Sequence, residues 1–385
     1  MSSLESYLHE KSNKRGNKNL NQIRSFFSEN DLEILQNNTI SLVGTNGKSS
    51  TAFNIHNLLT SLNLNSLVFT SPHLVDFKER IGTQENIPYD EFLDNLQLFE
   101  RKNNLNLGYF EALFLMACQI FLNNNLDYFI CEAGIGGLYD TTSIIQSKRV
   151  VLTSVSYDHT ELLGNELTKI LRQKLYISKN IDWLFTGDIS KELINSINTD
   201  YKHINLVNNL RNYLQLKEIN INEISTVEKN HFLSVMTLDL LLEESTFDEL
   251  MNIKLPNNLG RFEIIQNEPL KIIDGAHNLE GVQSVLADFN RIDDSPLIDL
   301  FIGFKKGKDY LKILNLITRD TNYRINLIQD NTFFEQQEVA KIIEHLDKIQ
   351  HKYQIVSLKK FIENKNPSIL LGSLYLIGEY KKRNI

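Results

Sequence analysis

Short apolar runs alternate with longer amphipathic segments along most of the chain, which is the pattern of strands followed by helices. In the first two thirds the apolar runs predict strands at residues 39–43, 66–69, 126–131, 150–155 and 183–186. Apolar positions at helical spacing predict helices around 20–27 and 52–62, and at 108–121, 167–179 and 231–242. Because parallel strands need a crossover, usually a helix, this alternation predicts an α/β fold with a doubly wound, mainly parallel sheet.

A second alternating series follows the breaker cluster Pro256-Asn257-Asn258-Leu259-Gly260. It predicts strands at 270–273, 297–304, 323–328, 353–358 and 368–371, and helices at 279–289, 310–317 and 334–346. A chain of 385 residues is longer than one core usually supports. We therefore predict a P-loop-type sheet domain at 1–257, a linker at 258–262 and a smaller Rossmann-like α/β domain at 263–385. The polar, Asn-rich stretch 188–230 receives no assignment.

A phosphate-binding loop is predicted between the first buried strand and its helix. Gly44 and Gly47 permit the tight turn that brings backbone N–H groups close to a phosphate. The start of the helix adds further N–H donors, and Lys48 adds a full positive charge. The common pattern G-x-x-x-x-G-K-S/T would also require Gly where Leu42 stands. The loop is therefore a shortened variant, for which nucleotide binding is the expected role.

Polar residues also follow the other predicted strands of the first domain. Ser71 follows the second strand, Glu132 ends the third, and Asp158 with His159 follows the fourth. Ligands of open α/β sheets bind at the carboxyl ends of the strands. A hydroxyl and a carboxylate suit Mg²⁺, whereas an imidazole is a less common ligand for it. These side chains are thus candidates for a metal beside the phosphate loop.

Composition and charge exclude several classes of protein. No apolar run approaches the roughly 20 residues of a membrane helix, and the polar N-terminus lacks a signal-peptide core. Cys118 and Cys131, the two cysteines, form neither a disulfide framework nor a metal-binding spacing. The formal net charge of −8 argues against nucleic-acid binding. We expect a cytoplasmic enzyme whose anionic substrates are attracted by local positive groups.

Short motifs follow one another in a fixed order from about residue 40 to about residue 380. In the first domain they are Gly44-Thr45-Asn46-Gly47-Lys48, Thr70-Ser71-Pro72-His73-Leu74, Glu79-Arg80-Ile81, Tyr109-Phe110-Glu111, Glu132-Ala133-Gly134-Ile135-Gly136-Gly137 with Asp140, and Asp158-His159-Thr160 with Leu163-Gly164. After the linker they are Gly260-Arg261-Phe262-Glu263, Asp274-Gly275-Ala276-His277-Asn278, Lys308-Asp309 and Gly372-Ser373-Leu374-Tyr375-Leu376. This series resembles folylpolyglutamate synthase and its bifunctional relative dihydrofolate synthase, of the Mur ligase superfamily.

The resemblance implies roles for individual residues. The ATP phosphates would be held by Gly44, Thr45, Asn46, Gly47, Lys48, Ser49 and Ser50. Mg²⁺ would be held by Ser71, Glu132 and His159, and Lys174 matches a lysine that becomes carbamylated and could hold a second metal. Arg261 matches the linker arginine that reaches the phosphates, and Asp274 and His277 match residues at the nucleotide. Phe110 and Asp140 match positions that contact the pterin, and Ser373 is a candidate near the glutamate. Lys48, His159, Lys174 and Arg261 are the expected catalytic residues.

The same resemblance implies an ATP-dependent ligase that joins L-glutamate to a folate carboxylate through an acyl phosphate. The expected cofactors are ATP and two Mg²⁺ ions, and a monovalent cation is a further candidate. The substrates would be folate or dihydropteroate, L-glutamate and ATP, and the expected enzyme is a monomer with no nucleic-acid or membrane partner.

The chain departs from the family pattern at three positions near these residues. Ser49 replaces a Gly after the loop lysine, Leu138 replaces an Arg, and Ser143 replaces an Asn. The N-terminal segment also lacks the Ile-Asp-Leu-Gly-Leu-like run of many bifunctional members, so the use of dihydropteroate stays open. Two alternatives remain as well: another amide ligase of the superfamily, or a nucleotide-binding paralogue without ligase activity.

Overall fold

The computed structural model describes residues 3–12, 19–83, 87, 89–242, 246–304, 310–329 and 336–384, with the backbone alone at 336–338 and 384. The chain divides into two compact units. The first consists of Met1–Ser71, Lys78–Asn222 and Lys229–Leu255. The second consists of Pro256–Ile385 together with two short segments, Pro72–Phe77 and Glu223–Glu228, which the sequence analysis had placed in the first domain.

The first unit is built around a sheet of seven strands. They are β1 (Thr39–Val43), β2 (Ser66–Phe69), β3 (Ile81–Thr83), β4 (Tyr128–Glu132), β5 (Arg149–Leu152), β6 (Ile181–Thr186) and β7 (Ile204–Asn209). Their order across the sheet is β3-β2-β4-β1-β5-β6-β7. All neighbours pair in parallel except β2 and β3, which are antiparallel. The central strand β1 is buried along its whole length, as its apolar sequence predicts.

Within the described residues, twelve α-helices accompany this sheet. They are α1 (Ser3–Ser12), α2 (Leu20–Arg24), α3 (Glu29–Asn38), α4 (Lys48–Ser61), α5 (Tyr89–Asn103), α6 (Tyr109–Asn123), α7 (Thr160–Leu163), α8 (Leu167–Leu175), α9 (Lys191–Asp200), α10 (Leu210–Leu216), α11 (Thr226–Leu241) and α12 (Phe247–Asn252). Helix α6 is buried all round from Ala112 to Phe121, because its sequence is apolar on every face. No helix within the described residues is long and apolar enough to span a membrane.

The second unit has a six-stranded sheet of its own. Its strands are β8 (Glu263–Asn267), β9 (Leu270–Asp274), β10 (Ile298–Ile302), β11 (Tyr323–Ile328), β12 (Tyr353–Val356) and β13 (Ser368–Leu371). Its helices are α13 (Leu279–Ile292), α14 (Tyr310–Ile317), α15 (Gln336–Lys348), α16 (Leu358–Ile362) and α17 (Leu374–Asn384). The order is β12-β11-β10-β13-β9-β8, and only the edge pair β8/β9 is antiparallel. The predicted fold class, two α/β domains with mainly parallel sheets, is confirmed.

Several element bounds differ from the prediction. The strand predicted at 150–155 ends at Leu152, because the polar side chains that follow it bond the phosphate loop instead of extending the strand. The stretch left unassigned contains α9, β7 and α10, and the helix predicted from 231 begins at Thr226. Residues 334–335, the start of another predicted helix, and Lys308-Asp309 lie outside the described residues.

Candidate active site

The phosphate loop lies at the centre of the first sheet, at the carboxyl end of β1. The residues after β5 hold it in place. Thr45 N donates to Ser154 O at 3.0 Å, Asn46 N donates to Ser154 Oγ at 2.8 Å, and Thr153 Oγ1 donates to Asn46 O at 2.6 Å. A Cβ atom at Gly44 would lie 1.9 Å from Thr153 Oγ1, so no larger residue fits there. These contacts with the residues after β5 therefore stabilise the loop conformation.

Gly47 ends the loop and forms the N-cap of α4. Its φ of 86° lies in the left-handed region, which favours glycine. A Cβ atom there would lie 2.6 Å from Oδ1 of Asn230, on α11. Asn230 is therefore a site residue that the sequence analysis missed. It lies at the end of the unassigned stretch, and no local pattern marks it.

Lys48 begins α4 and folds back over the loop. Its Nζ donates to Gly44 O at 3.1 Å and to Thr45 O at 3.3 Å, and it lies 4.0 Å from Glu132 Oε1. The side chain is 15% exposed. The first-turn amides of α4 and this ammonium group thus provide the positive charge that phosphates need. Ser50, in the same turn, is buried.

Glu132 ends β4 beside the loop, because it pairs in register with Leu42 of β1. It is only 2% exposed. Its carboxylate accepts one bifurcated hydrogen bond from Ser49 Oγ, which lies 3.1 Å from Oε1 and 3.0 Å from Oε2, and a second bond from the backbone N–H of Ser71 at 3.0 Å. Ser71 and Glu132 are brought together as the sequence analysis expected, although the bond shown is made by the Ser71 amide, not its hydroxyl.

Asp158 and His159 lie in the connection between β5 and α7. His159 forms the N-cap of α7 with a φ of 49°, and its backbone N–H donates to Asp158 Oδ1 at 2.9 Å. Its Nε2 lies 3.9 Å from Asp158 Oδ2, and its Nδ1 lies 3.6 Å from Glu161 Oε1. The imidazole is about one third exposed, at 34%.

Lys174 is buried on α8, with 2% of its surface exposed. Burial, and next the charge of Lys48, lower the pKa of its ammonium group from the ordinary 10.5 to about 7, while Asp158 acts in the opposite direction. Lys48, Asp158 and Lys174 are therefore close enough to influence one another. An amine with this pKa is partly neutral at neutral pH, and only the neutral form is a nucleophile.

The loop after β4 contains Gly134, Gly136 and Gly137 and is called the glycine loop. It is folded around Asp140. Both oxygens of this buried carboxylate accept bonds from the chain itself: Gly134 N at 3.1 Å, Ile135 N at 3.1 Å, and Thr142 N at 3.0 Å. The ring of Phe110 is close by, since a Cβ atom at Gly134 would lie 3.2 Å from its Cε2. Phe110 and Asp140 are thus neighbours, and Asp140 shapes the loop. Their contact with a pterin stays a prediction.

The remaining candidates belong to the second unit. Asp274 is the last residue of β9 and is in register with Leu371 of β13. Ser373 follows Leu371 by two residues. Its carboxylate accepts from the amides of Phe262 and Ala276, each at 2.6 Å, and burial raises its pKa against the opposing charge of Arg261. Nδ1 of His277 bonds Gly275 O at 2.8 Å. Ser373 Oγ accepts from Tyr375 N at 3.2 Å at the start of α17. Asp274 therefore orders the connection that carries Arg261.

The donors of the first unit suit Mg²⁺ bound together with nucleotide phosphates. Within the described residues no group of three or more His, Cys, Asp and Glu is placed to hold a metal. The predicted ligands instead combine one buried carboxylate with hydroxyl and imidazole groups, and Mg²⁺ commonly takes its other ligands from phosphates and water. Glu132, oriented by two hydrogen bonds beside the phosphate loop, fits that role.

Comparison with known proteins agrees with the fold and the motifs. No model of a protein family matches the chain. The dihydrofolate synthase/folylpolyglutamate synthase of Buchnera aphidicola subsp. Schizaphis graminum is 27% identical over 399 residues, covering 96% of this chain and 94% of that protein. The Bacillus subtilis protein of the same name is 25% identical over 392 residues, with 89% of each chain covered.

A solved structure shares the fold of both units. It is a bifunctional folylpolyglutamate synthase/dihydrofolate synthase with Mn, AMPPNP and L-glutamate bound, and it aligns with a TM-score of 0.80 over 100% of this chain and 98% of its own, at 19% identity. At that identity the likeness concerns the fold. Together with the near full-length relatives it confirms the resemblance that the motifs indicated: this chain is similar, over nearly its whole length, to proteins named dihydrofolate synthase/folylpolyglutamate synthase.

Proposed function

We propose that this protein is an ATP-dependent ligase that joins L-glutamate to the carboxylate of a folate. The observation that carries the proposal is the glycine-containing phosphate loop, with Lys48 over it and the buried carboxylate of Glu132 beside it. A near full-length relationship to proteins named for this activity supports the choice of substrates.

The reaction follows from the chemistry of a carboxylate, which is a poor electrophile. One of its oxygens attacks the γ-phosphorus of ATP, the bond to the β-phosphate oxygen breaks, and ADP leaves. The glutamate amine then attacks the acyl carbon of the acyl phosphate, loses a proton, and expels inorganic phosphate. Negative charge accumulates as phosphate moves onto an anion. Lys48 and the loop amides are placed to neutralise that charge, and preorganised groups of this kind dominate phosphoryl transfer.

A divalent cation bound here would add positive charge between the phosphates. We propose Glu132, Ser71 and His159 as its protein ligands, Glu132 by its carboxylate and Ser71 by its hydroxyl. The bond between Glu132 and the Ser71 amide supports this set, since it joins two of the three ligands before the cation binds.

We further propose that Lys174 is carbamylated and that it holds a second cation. Lys174 is only 2% exposed and lies on a helix beside Lys48 and Asp158. Such burial is unusual for a lysine whose only role is that of a surface charge. Addition of the neutral amine to CO₂, with loss of a proton, would convert a buried cation into an anionic oxygen ligand.

The substrate assignments are also part of the proposal. Arg261, Asp274 and His277 are proposed for the nucleotide and Ser373 for the glutamate. Phe110, with Asp140 shaping the loop beside it, is proposed for the pterin. We propose a monomer as the active species.

The test is phosphate release by purified protein with ATP, Mg²⁺ and L-glutamate, with tetrahydrofolate and dihydropteroate supplied in separate reactions. The product is identified by the mass of one added glutamyl residue. Glutamylation of tetrahydrofolate supports the proposal, and glutamylation of both acceptors makes the enzyme bifunctional. Binding of ATP without product from either acceptor would overturn it and favour a paralogue without ligase activity.

A further inference from the structure

The hydroxyl of Ser49 bridges the two oxygens of Glu132. Its Oγ lies 3.1 Å from Oε1 and 3.0 Å from Oε2. Glu132 is 2% exposed, so bulk water cannot readily replace this donor. The hydroxyl therefore helps to stabilise one orientation of this carboxylate, together with the Ser71 amide at 3.0 Å from Oε2.

The other group that competes for this carboxylate is Lys48. Its Nζ lies 4.0 Å from Oε1, at the outer limit of an ion pair, and it donates to two carbonyl oxygens of the phosphate loop instead. A shorter contact between Lys48 and Glu132 would be strongly attractive in this buried setting. It would also draw the lysine away from the loop and take carboxylate oxygens away from a cation. The Lys48 ammonium can serve the phosphate loop, and the Glu132 carboxylate can serve a cation, only while the two do not form a close ion pair.

Local structure explains why Ser49 can keep them apart. It is the second residue of α4, directly after Lys48, and Glu132 is in register with Leu42 on the neighbouring strand. The side chains of Lys48 and Ser49 thus leave adjacent positions of one helical turn, the first towards the loop and the second towards Glu132. A glycine or alanine at position 49 would remove this hydroxyl while leaving the lysine in place.

We propose that Ser49 is a positioning residue that fixes the Glu132 carboxylate for a divalent cation and prevents its collapse onto Lys48. The inference rests on the proposed function, since it takes Glu132 as a ligand of the cation that accompanies ATP. Residues that orient a metal ligand typically change metal affinity by about 10- to 100-fold when they are removed.

The experiment measures Mn²⁺ affinity in the presence of ADP, from the electron paramagnetic resonance signal of free Mn²⁺, without any turnover. Ser49→Ala is expected to weaken Mn²⁺ binding by about 10-fold or more, and Ser49→Thr, which keeps the hydroxyl, should restore it. ADP affinity measured in EDTA corrects both variants for any direct effect of residue 49 on nucleotide binding, and the unfolding transition should stay close to wild type. Equal Mn²⁺ affinity in wild type and Ser49→Ala would overturn the proposal.

A double variant separates positioning from direct coordination by the Ser49 hydroxyl. If Ser49 acts through Glu132, Ser49→Ala should cause almost no additional loss when Glu132 is already Gln, because coupled residues are non-additive. A full additional loss would overturn the positioning role. Failure of the proposed metal site is distinguishable, because Glu132→Gln would then bind Mn²⁺ as tightly as wild type.

Discussion

Gly137 packs directly against the backbone of Lys174. A Cβ atom at Gly137 would lie 2.6 Å from the carbonyl oxygen of Lys174 and 2.7 Å from that of Gln173. The next residue, Leu138, donates its N–H to Gln173 O at 2.7 Å. The glycine loop that follows β4 is therefore seated on the last turn of α8. This contact ties the position of the buried lysine to the loop that carries Asp140.

Gly137→Ala is expected to lower both stability and turnover. The added methyl group meets backbone oxygens that cannot rotate away, and overpacking of this kind typically costs about 1–3 kcal/mol. Urea unfolding followed by Trp183 fluorescence measures the loss in the first unit, since Trp183 is the only tryptophan of the chain and lies in β6. Gly281→Ala, within α13 of the second unit, is a control for a glycine-to-alanine change outside this contact, and it should leave the Trp183 transition unchanged. Equal stability of Gly137→Ala and wild type would contradict the packing.

Lys48→Ala is expected to reduce turnover by about 10²–10³-fold or more, the usual effect of losing one preorganised electrostatic group. The lysine is the full positive charge at the phosphate loop, and it bonds two loop carbonyls. Steady-state phosphate release at saturating ATP measures the effect. Lys169→Ala removes an exposed lysine that pairs with Glu166, and it should leave turnover nearly unchanged. Near-wild-type turnover of Lys48→Ala would exclude the assigned role.

The parts of the fold that could be predicted are the buried ones. Ser66–Phe69, Tyr310–Ile317 and Tyr323–Ile328 have the predicted bounds, because a parallel strand or a packed helix needs a continuous apolar run or stripe. The edge strand β7 was missed. Its sequence is half-exposed and rich in Asn, so it lacks the continuous apolar run that marks a buried strand. Helix α5 was missed although Phe92, Leu93, Leu96 and Phe99 mark a helical face.

The candidate site likewise contains residues that could be predicted from the sequence and contacts that could not. Gly44, Gly47 and Lys48 follow from the strand–loop–helix pattern alone, since the geometry of a phosphate loop restricts residue type. The Ser71 amide that bonds Glu132 could not be predicted, because a backbone N–H is present whatever the side chain. Asn230 reaches Gly47 from a distant helix, and this approach is set by tertiary packing. The role of Ser49 also became visible only when its distance to Glu132 was known.

Asp140→Asn is expected to destabilise the first unit. The carboxylate accepts from the amides of Gly134 and Ile135 through one oxygen and from Thr142 through the other. An Asn side chain has only one accepting oxygen, so it would leave buried N–H groups unpaired, at about 1–3 kcal/mol. Urea unfolding followed by Trp183 fluorescence measures this loss. Asp127→Asn, at an exposed carboxylate that bonds the Asn65 amide, is the control and should cost less. An unchanged unfolding midpoint of Asp140→Asn would show that Asp140 is not needed for the loop.

Stability should also depend on pH through His56, a half-buried residue of α4 whose Nδ1 shares a hydrogen bond of 2.8 Å with Ser66 Oγ. Burial lowers the pKa of its imidazole from the ordinary 6.5 to about 4. Between these values the unfolded chain binds a proton that the folded chain does not, so the free energy of unfolding must decrease as the pH falls from 6.5 towards 4.

His56→Gln keeps a polar side chain without this titration. Carboxylates contribute to acid unfolding in both proteins, and the difference between wild type and variant isolates the histidine. Urea unfolding at several pH values should therefore show wild type losing more stability than the variant over this interval, and parallel curves would contradict the burial of a neutral His56.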